Sequence, residues 1–328
     1  MMSSKKLLSY PMVRQYDQAA IAYRRSRPWS HNGPLLSSCC PTSSSAATRY
    51  GRRGDGLRRV STDASSQNIF RSSRPRRIIL VRHGESLGNV DESTYVTTPD
   101  WKVPLTARGR EQAREAGRRL QSIVVGDDPG EGPHNVFLYY SSYRRTVETF
   151  REIEGRLRGA DGINIIAASE EPRISEQQFG NFQNVDEVRA AKADRIRFGR
   201  FYYRFRSGES GLDVYSRVSS FISTLVRDCY QYRKAGYDLD RTDVIVVTHG
   251  LSLRLFLMRW FQFGVEEFED SNNPENADIV VMEKKCNTGE YRWYQIDPVL
   301  RERLNLPHRC GPASKIDRPT DGGDDAGF

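Results

Sequence analysis

Residues 78–85 read IILVRHGE, and residues 244–250 read VIVVTHG. Each stretch is a run of mainly β-branched aliphatic residues, which is typical of a buried strand. Each run then meets His-Gly, where glycine permits a sharp exit from the sheet. If the two strands are neighbours in a parallel sheet, His83 and His249 emerge at one carboxyl edge, where open α/β folds place their ligands. We therefore expect the two imidazoles to share one site.

Strand and helix patterns alternate on either side of these stretches. The predicted strands are 78–82, 136–140, 163–167, 244–248, 279–283 and 291–296, and the predicted helices are 107–125, 144–158, 185–205, 212–234 and 251–261. The last two strands form an expected antiparallel pair across residues 287–289. Such alternation predicts an α/β fold, a three-layer sandwich whose central sheet is mostly parallel and is covered by helices on both faces.

The positive charge of the chain is concentrated near its start. The net charge is +8 over 328 residues, but residues 1–73 alone carry +9, which leaves −1 on residues 74–328. The high pI therefore gives no reason to expect nucleic-acid binding by the folded part. No apolar run approaches the ~20 residues that a membrane span needs. Five cysteines without a CxxC pair favour a reducing compartment.

Composition divides the chain into three parts. Residues 1–73 are rich in Ser and Arg and lack hydrophobic periodicity, so we expect a disordered leader. This composition is typical of an organellar transit peptide, which would direct the protein to a plastid or mitochondrion. A cytosolic tail, which would leave the protein cytoplasmic, and a wrongly assigned gene start are the alternatives. Residues 74–300 are the expected folded domain, and residues 301–328, with aspartates among glycines, the expected disordered tail.

The residues around His83 suit phosphoryl transfer. That reaction needs a nucleophile, cations around the phosphate oxygens and an acid for the leaving group. A neutral imidazole can be the nucleophile, so His83 is the candidate for that role. Arg82 stands next to it, and a guanidinium grips two phosphate oxygens at once. Asn89, from the same loop, can donate a further hydrogen bond.

Two further loops offer the remaining groups. Residues 141–149 directly follow a predicted strand, and of the pair Arg144 and Arg145 we favour Arg145 as the inward-facing phosphate ligand. The alternative is that both arginines simply begin a solvated helix. Glu176 lies between apolar neighbours, and partial burial would suit this carboxyl to protonate a leaving oxygen.

Six motifs follow one another between residues 76 and 296: LVRHGES at 80–86 with Asn89, Leu105-Thr106 with Gly109 and Gln112-Ala113, Ser141 with Arg145 and Thr149, Glu176, Gly208-Glu209-Ser210 with Asp213 and Arg217, and Thr248-His249-Gly250. In this order they resemble the motifs of the histidine phosphatase superfamily, whose best-known members are the cofactor-dependent phosphoglycerate mutases. The chain looks closest to a plant branch of phosphoglycerate-mutase-like proteins and to fungal broad phosphatases. A phosphoglycerate-mutase-like fold is therefore expected.

The resemblance implies a role for each candidate residue. His83 would carry the phosphoryl group, and Glu176 would donate and then accept the proton. The other candidates would hold the phosphate: Arg82, Asn89, Arg145 and His249. The resemblance also implies a small phosphorylated substrate and neither a metal nor an organic cofactor, because the cationic pocket supplies the electrostatic stabilisation.

The substrate is less well indicated than the chemistry. Where true mutases resemble one another in a Phe-Thr-Gly-Trp segment, residues 97–104 of this chain read TTPDWKVP. A mutase must also bind a second phosphate and keep water off phosphohistidine, and no matching set of residues stands out. We therefore expect a phosphomonoester hydrolase acting through phosphohistidine. The alternatives are a 2,3-bisphosphoglycerate-dependent phosphoglycerate mutase and a non-catalytic phospho-ligand-binding protein.

Residues 195–206, RIRFGRFYYRFR, interleave arginines with aromatic residues. On a helix they form two stripes, one aromatic (Phe198, Phe201, Tyr202, Phe205) and one basic (Arg197, Arg200, Arg204). The arginines would form a lid that meets a second anionic group of the substrate. A packed helix with a solvated basic face and a stacking surface for single-stranded nucleic acid are the alternatives.

A competing motif overlaps the first histidine. Residues 84–88, GESLG, match the G-x-S-x-G nucleophile elbow of α/β-hydrolases. An elbow must lead straight into a helix, whereas residues 89–92 run into Ser/Thr-rich sequence. We therefore expect that Ser86 is not a nucleophile.

Overall fold

Strands and helices alternate along the folded part of the chain. The computed structural model describes residues 74–126, 132–181, 184–285 and 294–311. The strands are β1 (Arg77–Arg82), β2 (His134–Tyr140), β3 (Ile163–Glu170), β4 (Thr242–Thr248), β5 (Ile279–Lys284) and β6 (Tyr294–Ile296). The helices are α1 (Leu87–Val90), α2 (Thr94–Thr97), α3 (Ala107–Val125), α4 (Arg144–Arg158), α5 (Val185–Phe198), α6 (Gly211–Lys234), α7 (Gly250–Phe261), α8 (Val265–Asp270) and α9 (Pro298–Arg303), with 3-10 turns at Asp100–Lys102, Pro172–Ile174, Leu239–Arg241 and His308–Cys310.

The strands form one mixed sheet in the order β3-β2-β4-β1-β5-β6. The first four strands in this order are parallel, and β5 and β6 are antiparallel to their neighbours. The predicted neighbourhood of β1 and β4 is confirmed, with Arg82 opposite Thr248 at the end of the register. The predicted antiparallel pairing near the C-terminus is also confirmed, although its turn at 287–289 lies outside the described residues.

The alternation of side chains along β1 builds the two layers of core. Ile78 and Leu80 pack with α6 and α7 on one face, whereas Ile79 and Val81 pack with α3 and α4 on the other. All four side chains are fully buried, and each such burial stabilises the fold by about 1.5–3 kcal/mol. The predicted three-layer sandwich with a mostly parallel sheet is therefore confirmed.

Helix α3 presses against the turn that follows β1. The helix spans the predicted residues, and its cap is Thr106, whose hydroxyl accepts a hydrogen bond from the Gly109 amide at 2.9 Å. A Cβ atom on Gly84 would lie 2.3 Å from the Gly109 carbonyl oxygen, and a Cβ atom on Gly109 would lie 2.0 Å from the Glu85 carbonyl oxygen. The two backbones thus touch directly, and both positions require glycine for lack of space.

Helix α5 is shorter than predicted. It ends at Phe198 because Gly199 adopts a φ of +91°, a conformation that glycine takes without strain. Past this point the aromatic side chains diverge: Phe201 and Phe205 are buried, whereas Tyr202 is exposed. The predicted helix to residue 205, with one aromatic stripe and one basic stripe, is therefore wrong.

The folded domain extends beyond its predicted end. Leu304, Leu306 and Cys310 are buried and belong to the core between the sheet, α6 and α7. The predicted boundary at residue 300 is therefore wrong, and the described structure continues through Gly311. Residues 1–73 and 312–328 lie outside the described residues, so the leader, its targeting role and the rest of the tail stay predictions. Within the described ranges, no helix combines the length and apolarity required to cross a bilayer.

Candidate active site

The two histidines meet at the carboxyl edge of the sheet, as predicted. The ring centroids of His83 and His249 are 5.1 Å apart, with the ring planes inclined by 63°. His83 is 3% exposed and His249 is fully buried. The parallel register of β1 and β4 causes this meeting, because each histidine directly follows the last residue of its strand.

His83 is held in the tautomer that a nucleophile needs. Its Nδ1 lies 2.7 Å from the Gly84 carbonyl oxygen. Because a carbonyl only accepts hydrogen bonds, Nδ1 must carry the proton, which leaves the Nε2 lone pair available. Burial, together with the charges of Arg145 and Arg82, holds the pKa of His83 well below its ordinary value. The imidazole is therefore neutral at neutral pH.

His249 is fixed from the second strand. Its Nε2 lies 2.9 Å from the Ser141 hydroxyl, and its ring packs edge-on against Tyr143 with centroids 5.1 Å apart. Its Nδ1 is buried and has no hydrogen-bond partner within the described part of the chain. Burial first, and then the charge of Arg145, hold the pKa of His249 well below its ordinary value. Ser141 belongs to the same sequence motif as Arg145 and Thr149, but it was not predicted to be a site residue.

Two arginines, the half-buried Arg82 and the buried Arg145, stand beside the histidines. Arg82 donates from Nη1 to the Pro274 carbonyl oxygen at 2.6 Å, while its buried Nε has no partner in the described ranges. Arg145 is 2% exposed and donates from Nη1 to the Asp100 carbonyl oxygen at 2.9 Å and to its carboxylate at 2.7 Å. Arg144 is exposed and pairs with Glu148. The choice of Arg145 as the inward-facing arginine is therefore confirmed.

The surroundings shift the pKa values of the two guanidiniums in opposite directions. Burial lowers the pKa of Arg82 below its ordinary value, against the opposing charge of Glu176. Burial would also lower the pKa of Arg145, but the Asp100 carboxylate, together with Tyr95 and Glu176, outweighs burial, so the pKa of Arg145 is raised. Both side chains stay cationic, and their charges suit the pocket to an anion.

Glu176 is half-buried beside these charges. Its Oε1 accepts a hydrogen bond from the Gln177 amide at 2.9 Å. Arg217 of α6 holds the loop, because its guanidinium donates to the carbonyl oxygens of Ser175 at 2.7 Å and Glu176 at 2.9 Å. The carboxylate acts electrostatically on both Arg82 and Arg145. Its placement next to the cationic pocket agrees with the predicted proton donor, a role that stays a prediction.

Asn89 stabilises the turn that follows β1. Its side-chain oxygen accepts hydrogen bonds from the amide and the hydroxyl of Ser86, both at 3.0 Å. Asn276 donates to the same oxygen at 3.3 Å and to the His83 carbonyl oxygen at 3.2 Å. Asn89 thus helps to fix the turn that carries His83, and its direct contact with phosphate stays a prediction.

Ser86 lacks the surroundings of a nucleophile. One helical turn, α1, does follow it, but the side chain is fully buried and its hydroxyl donates to Asn89. The hydroxyl that His249 contacts is Ser141 instead. The geometry therefore agrees with the expectation that Ser86 is not a nucleophile.

The three predicted lid arginines have other partners. Arg200 donates to the Glu269 carbonyl oxygen at 3.1 Å, Arg204 pairs with Asp213, and the Arg197 guanidinium lies over the Phe198 ring. Their role toward substrate stays a prediction that no contact among the described residues supports.

Arg195, one helical turn before the end of α5, is the arginine that the sequence reasoning missed. Its buried Nε has no partner among the described residues, and the Glu176 charge acts on it. Because the helix was predicted to continue to residue 205, the predicted basic stripe included arginines that lie beyond the end of α5.

A cavity of about 730 Å³ adjoins the histidines. Its lining is formed by Tyr95, Val96, Thr97, Thr98, Pro99, Asp100, Trp101, Tyr143, Gln178, Phe179, Gly180, Asn181, Val188, Lys192 and Ser207. Two of these residues, Tyr143 and Asp100, also contact His249 and Arg145. The cavity therefore lies beside the cationic pocket formed by Arg82 and Arg145. In the described part of the chain, no group of three or more His, Cys, Asp or Glu side chains is placed to hold a metal ion.

Sequence comparison agrees with the fold and the site, which together define a phosphoglycerate-mutase-like α/β protein. The model of the histidine phosphatase superfamily (branch 1) matches residues 78–297. The chain therefore belongs to the histidine phosphatase superfamily.

Its relatives include plant and fungal proteins. The chain is 46% identical to the phosphoglycerate mutase-like protein AT74H of Arabidopsis thaliana over 219 residues, which are 66% of this chain and 76% of that protein. It is 49% identical to AT74 of the same plant, over 64% of this chain and 65% of that protein. It is 30% identical to the broad-range acid phosphatase DET1 of Saccharomyces cerevisiae, over 71% of this chain and 92% of that protein. Among solved structures, a mycobacterial glucosyl-3-phosphoglycerate phosphatase aligns with a TM-score of 0.48 at 20% identity, over 68% of this chain and 97% of that one.

Proposed function

We propose that this protein is a phosphatase that hydrolyses phosphomonoesters through a phosphohistidine intermediate on His83. The observation that carries the proposal is the state of His83: neutral, protonated on Nδ1, and set beside His249, Arg82 and Arg145. Membership in the histidine phosphatase superfamily supports the reaction class. The acid phosphatase activity in the names of the yeast relative and of a Mycobacterium tuberculosis relative, 24% identical over 196 residues, supports hydrolysis.

In the first step, Nε2 of His83 attacks the phosphorus atom and the bond to the leaving oxygen breaks. Glu176 gives its proton to that oxygen, so the product leaves as an alcohol. The charges on the transferring phosphoryl oxygens are met by Arg82, Arg145 and the ring of His249. The loss of negative charge from the leaving oxygen lowers the barrier for substrates whose alcohols are poor leaving groups.

In the second step, a water molecule attacks the phosphorus atom and the bond to Nε2 of His83 breaks. Glu176, now ionised, takes the proton of that water, which restores both residues and releases inorganic phosphate. The Nδ1–H bond to the Gly84 carbonyl oxygen keeps the ring oriented through both steps.

The test is labelling with a ³²P-phosphomonoester followed by rapid acid-free quenching, in parallel with turnover of p-nitrophenyl phosphate. The native chain and the control His308→Ala, which alters an exposed histidine outside the site, are expected to be labelled and active. His83→Ala is expected to show neither label nor turnover.

Other outcomes separate the alternatives. Normal turnover by His83→Ala would refute the proposal. Isomerisation of 3-phosphoglycerate that depends on 2,3-bisphosphoglycerate would establish a mutase instead. Phosphate binding by the native chain without label or turnover would establish a non-catalytic phospho-ligand-binding protein.

A further inference from the structure

The cavity beside the histidines shares a wall with the phosphate pocket. Tyr143 lines the cavity and packs its ring against His249, with centroids 5.1 Å apart. Asp100 lines the cavity and binds Arg145 at 2.7 Å. A phosphomonoester bound for attack by His83 would therefore place its leaving group toward this space, where the cavity offers room for it.

The charged side chains that line the cavity are already paired. The Asp100 carboxylate is bound by Arg145. The Lys192 ammonium lies 2.5 Å from the Glu92 carboxylate. Arg195, whose Nε has no partner in the described part of the chain, is not among the lining residues. Among the described lining residues, no positively charged side chain is therefore left unpaired to bind an anionic group that the substrate carries besides its phosphate.

Apart from Val96, Pro99, Gly180 and Val188, the rest of the lining is aromatic or neutral and polar. Tyr95, Trp101, Tyr143 and Phe179 contribute aromatic rings, and Trp101 is 54% exposed, with the Lys102 ammonium 4.8 Å from its ring centroid. Uncharged hydrogen-bonding groups stand among them: Thr97, Thr98, Gln178, Asn181 and Ser207. Aromatic faces favour contact with rings, and amides and hydroxyls pair with hydroxyls. Together they suit a neutral, hydroxyl-bearing ring.

The size of the cavity points the same way. Sites for ring-containing small molecules are about 300–1,000 Å³, and this cavity has about 730 Å³. A three-carbon acid such as glycerate would fill a small part of it and would place a carboxylate among groups that carry no free positive charge. A small carboxylate is therefore a poor match on both size and charge.

We propose that this cavity binds the leaving group and selects phosphomonoesters of neutral, hydroxyl-rich rings over phosphorylated small carboxylic acids. The inference rests on the proposed phosphatase function and names its substrate class. A sugar and the ribose of a nucleoside share this chemistry, so the experiment treats them as separate arms.

The test measures kcat/KM for phosphate release from four compounds. Glucose 6-phosphate and adenosine 5′-monophosphate represent the two ring sources, 3-phosphoglycerate is the small carboxylate, and glycerol 3-phosphate is a small neutral baseline. At least one ring compound is expected to exceed both small compounds by about tenfold or more, the effect of one aromatic contact with hydrogen bonds. The ring compound with the higher kcat/KM shows whether the cavity prefers a sugar or a nucleoside.

Variants tie the preference to the cavity. Trp101→Ala is expected to lower kcat/KM for the preferred ring compound about tenfold, mostly through KM, and to change the value for glycerol 3-phosphate less than about threefold. Gln178→Met keeps the length of the side chain but removes the amide, and is expected to reduce kcat/KM for the ring compound about threefold. The matched control is Tyr230→Ala, which removes an aromatic side chain of similar exposure, 46%, from α6, and it is expected to change none of these values.

The outcomes are distinguishable from a failure of the proposed function. A value for 3-phosphoglycerate equal to or above those of both ring compounds would overturn the inference, and so would an equal loss on all four compounds in Trp101→Ala. If either of these outcomes is found while glycerol 3-phosphate is hydrolysed and His83 is labelled, the proposed phosphatase function is retained and only the proposed substrate class is rejected. If no compound releases phosphate and no label forms, both proposals fall.

Discussion

Glu176 is the residue whose role depends most on the substrate offered. Glu176→Gln keeps the shape of the side chain but removes its proton. We expect a change of less than about threefold with p-nitrophenyl phosphate, whose leaving group is stable as an anion, and a loss of about 10²–10⁴-fold with glycerol 3-phosphate, whose leaving oxygen needs the proton. The measurement is kcat for both substrates.

The control for this prediction is Glu170→Gln, which removes an exposed carboxyl at the end of β3. It is expected to leave both rates unchanged. An equal loss on the two substrates in Glu176→Gln would show that this carboxyl has another role.

The sequence predicted the residues whose signal is local. His83 and His249 each end a strand, and Arg145 was preferred over Arg144 from its place after β2. Asp100 and Ser141 were missed as site residues because their contacts join distant parts of the chain: Asp100 binds a residue 45 positions away, and Ser141 one 108 positions away. The sequence of a loop does not indicate which distant loop it will contact in the folded protein.

At the scale of elements, α7 helps to position Arg82 beside His83. Arg254 is 2% exposed and donates from Nε to the Ser271 hydroxyl at 2.9 Å and from Nη2 to the Phe268 carbonyl oxygen. It thereby holds the start of the 271–276 loop. The same loop contacts Arg82 through the Pro274 carbonyl oxygen and His83 through Asn276. Burial, followed by the charges of Arg200 and Arg195, lowers the pKa of Arg254 to about 9.

Arg254→Met is expected to loosen this loop. The lost hydrogen bonds leave buried acceptors unpaired, so the free energy of unfolding should fall by about 2–4 kcal/mol. At a temperature where the variant is still folded, kcat should fall about tenfold because Arg82 is less well placed. Arg254→Lys, which restores the charge, should recover part of the loss, and the measurements are urea unfolding and kcat.

The control is Arg259→Met, at an exposed position of the same helix, which is expected to change neither quantity. An unchanged kcat in folded Arg254→Met would show that this residue stabilises the protein without positioning Arg82.

The end of α5 shows why element boundaries were harder to predict than elements. The aromatic spacing after Phe198 continues the helical period, yet the chain leaves the helix there. The Glu269 carboxylate, from α8, accepts the backbone N–H groups of Arg200 at 2.9 Å and Phe201 at 2.7 Å. A distant acid therefore satisfies backbone donors that a longer helix would have satisfied, and such help is invisible in a local pattern.

For the molecule as a whole, the two buried histidines link stability to pH. The pKa values of His83 and His249 are held well below 6.5, so the native state stays unprotonated at pH values where the unfolded chain binds protons. Stability is therefore fully present above pH 6.5 and falls as the pH drops below it. Each histidine contributes a slope of up to about 1.4 kcal/mol per pH unit.

The measurement is urea unfolding at pH 7.0 and 5.5, with and without the double substitution His83→Gln and His249→Gln. The native chain is expected to lose more stability between these pH values than the double variant. Equal losses would show that the two imidazoles are protonated in the folded state.

The fold class was predictable because strand and helix periods differ and alternate along the whole chain. The strand order beyond the β1–β4 and β5–β6 neighbours and the ordered segment after residue 300 were not, because both depend on packing between distant elements. Leu304 and Leu306 lie in a stretch whose composition suggested a tail, yet both are buried against the core. Composition describes the average polarity of a segment. Whether the segment packs on the domain depends on a few apolar side chains that become buried.

The contact between Gly84 and Gly109 has a practical consequence for protein engineering. The turn after β1 and the first turn of α3 meet there through main-chain atoms, so substituting side chains cannot retune this particular contact. The cavity wall formed by residues 95–101, residues 178–181, Val188 and Lys192 belongs to separate segments of the chain. A designer can therefore randomise this wall to change which molecules fit the cavity while His83 keeps its position.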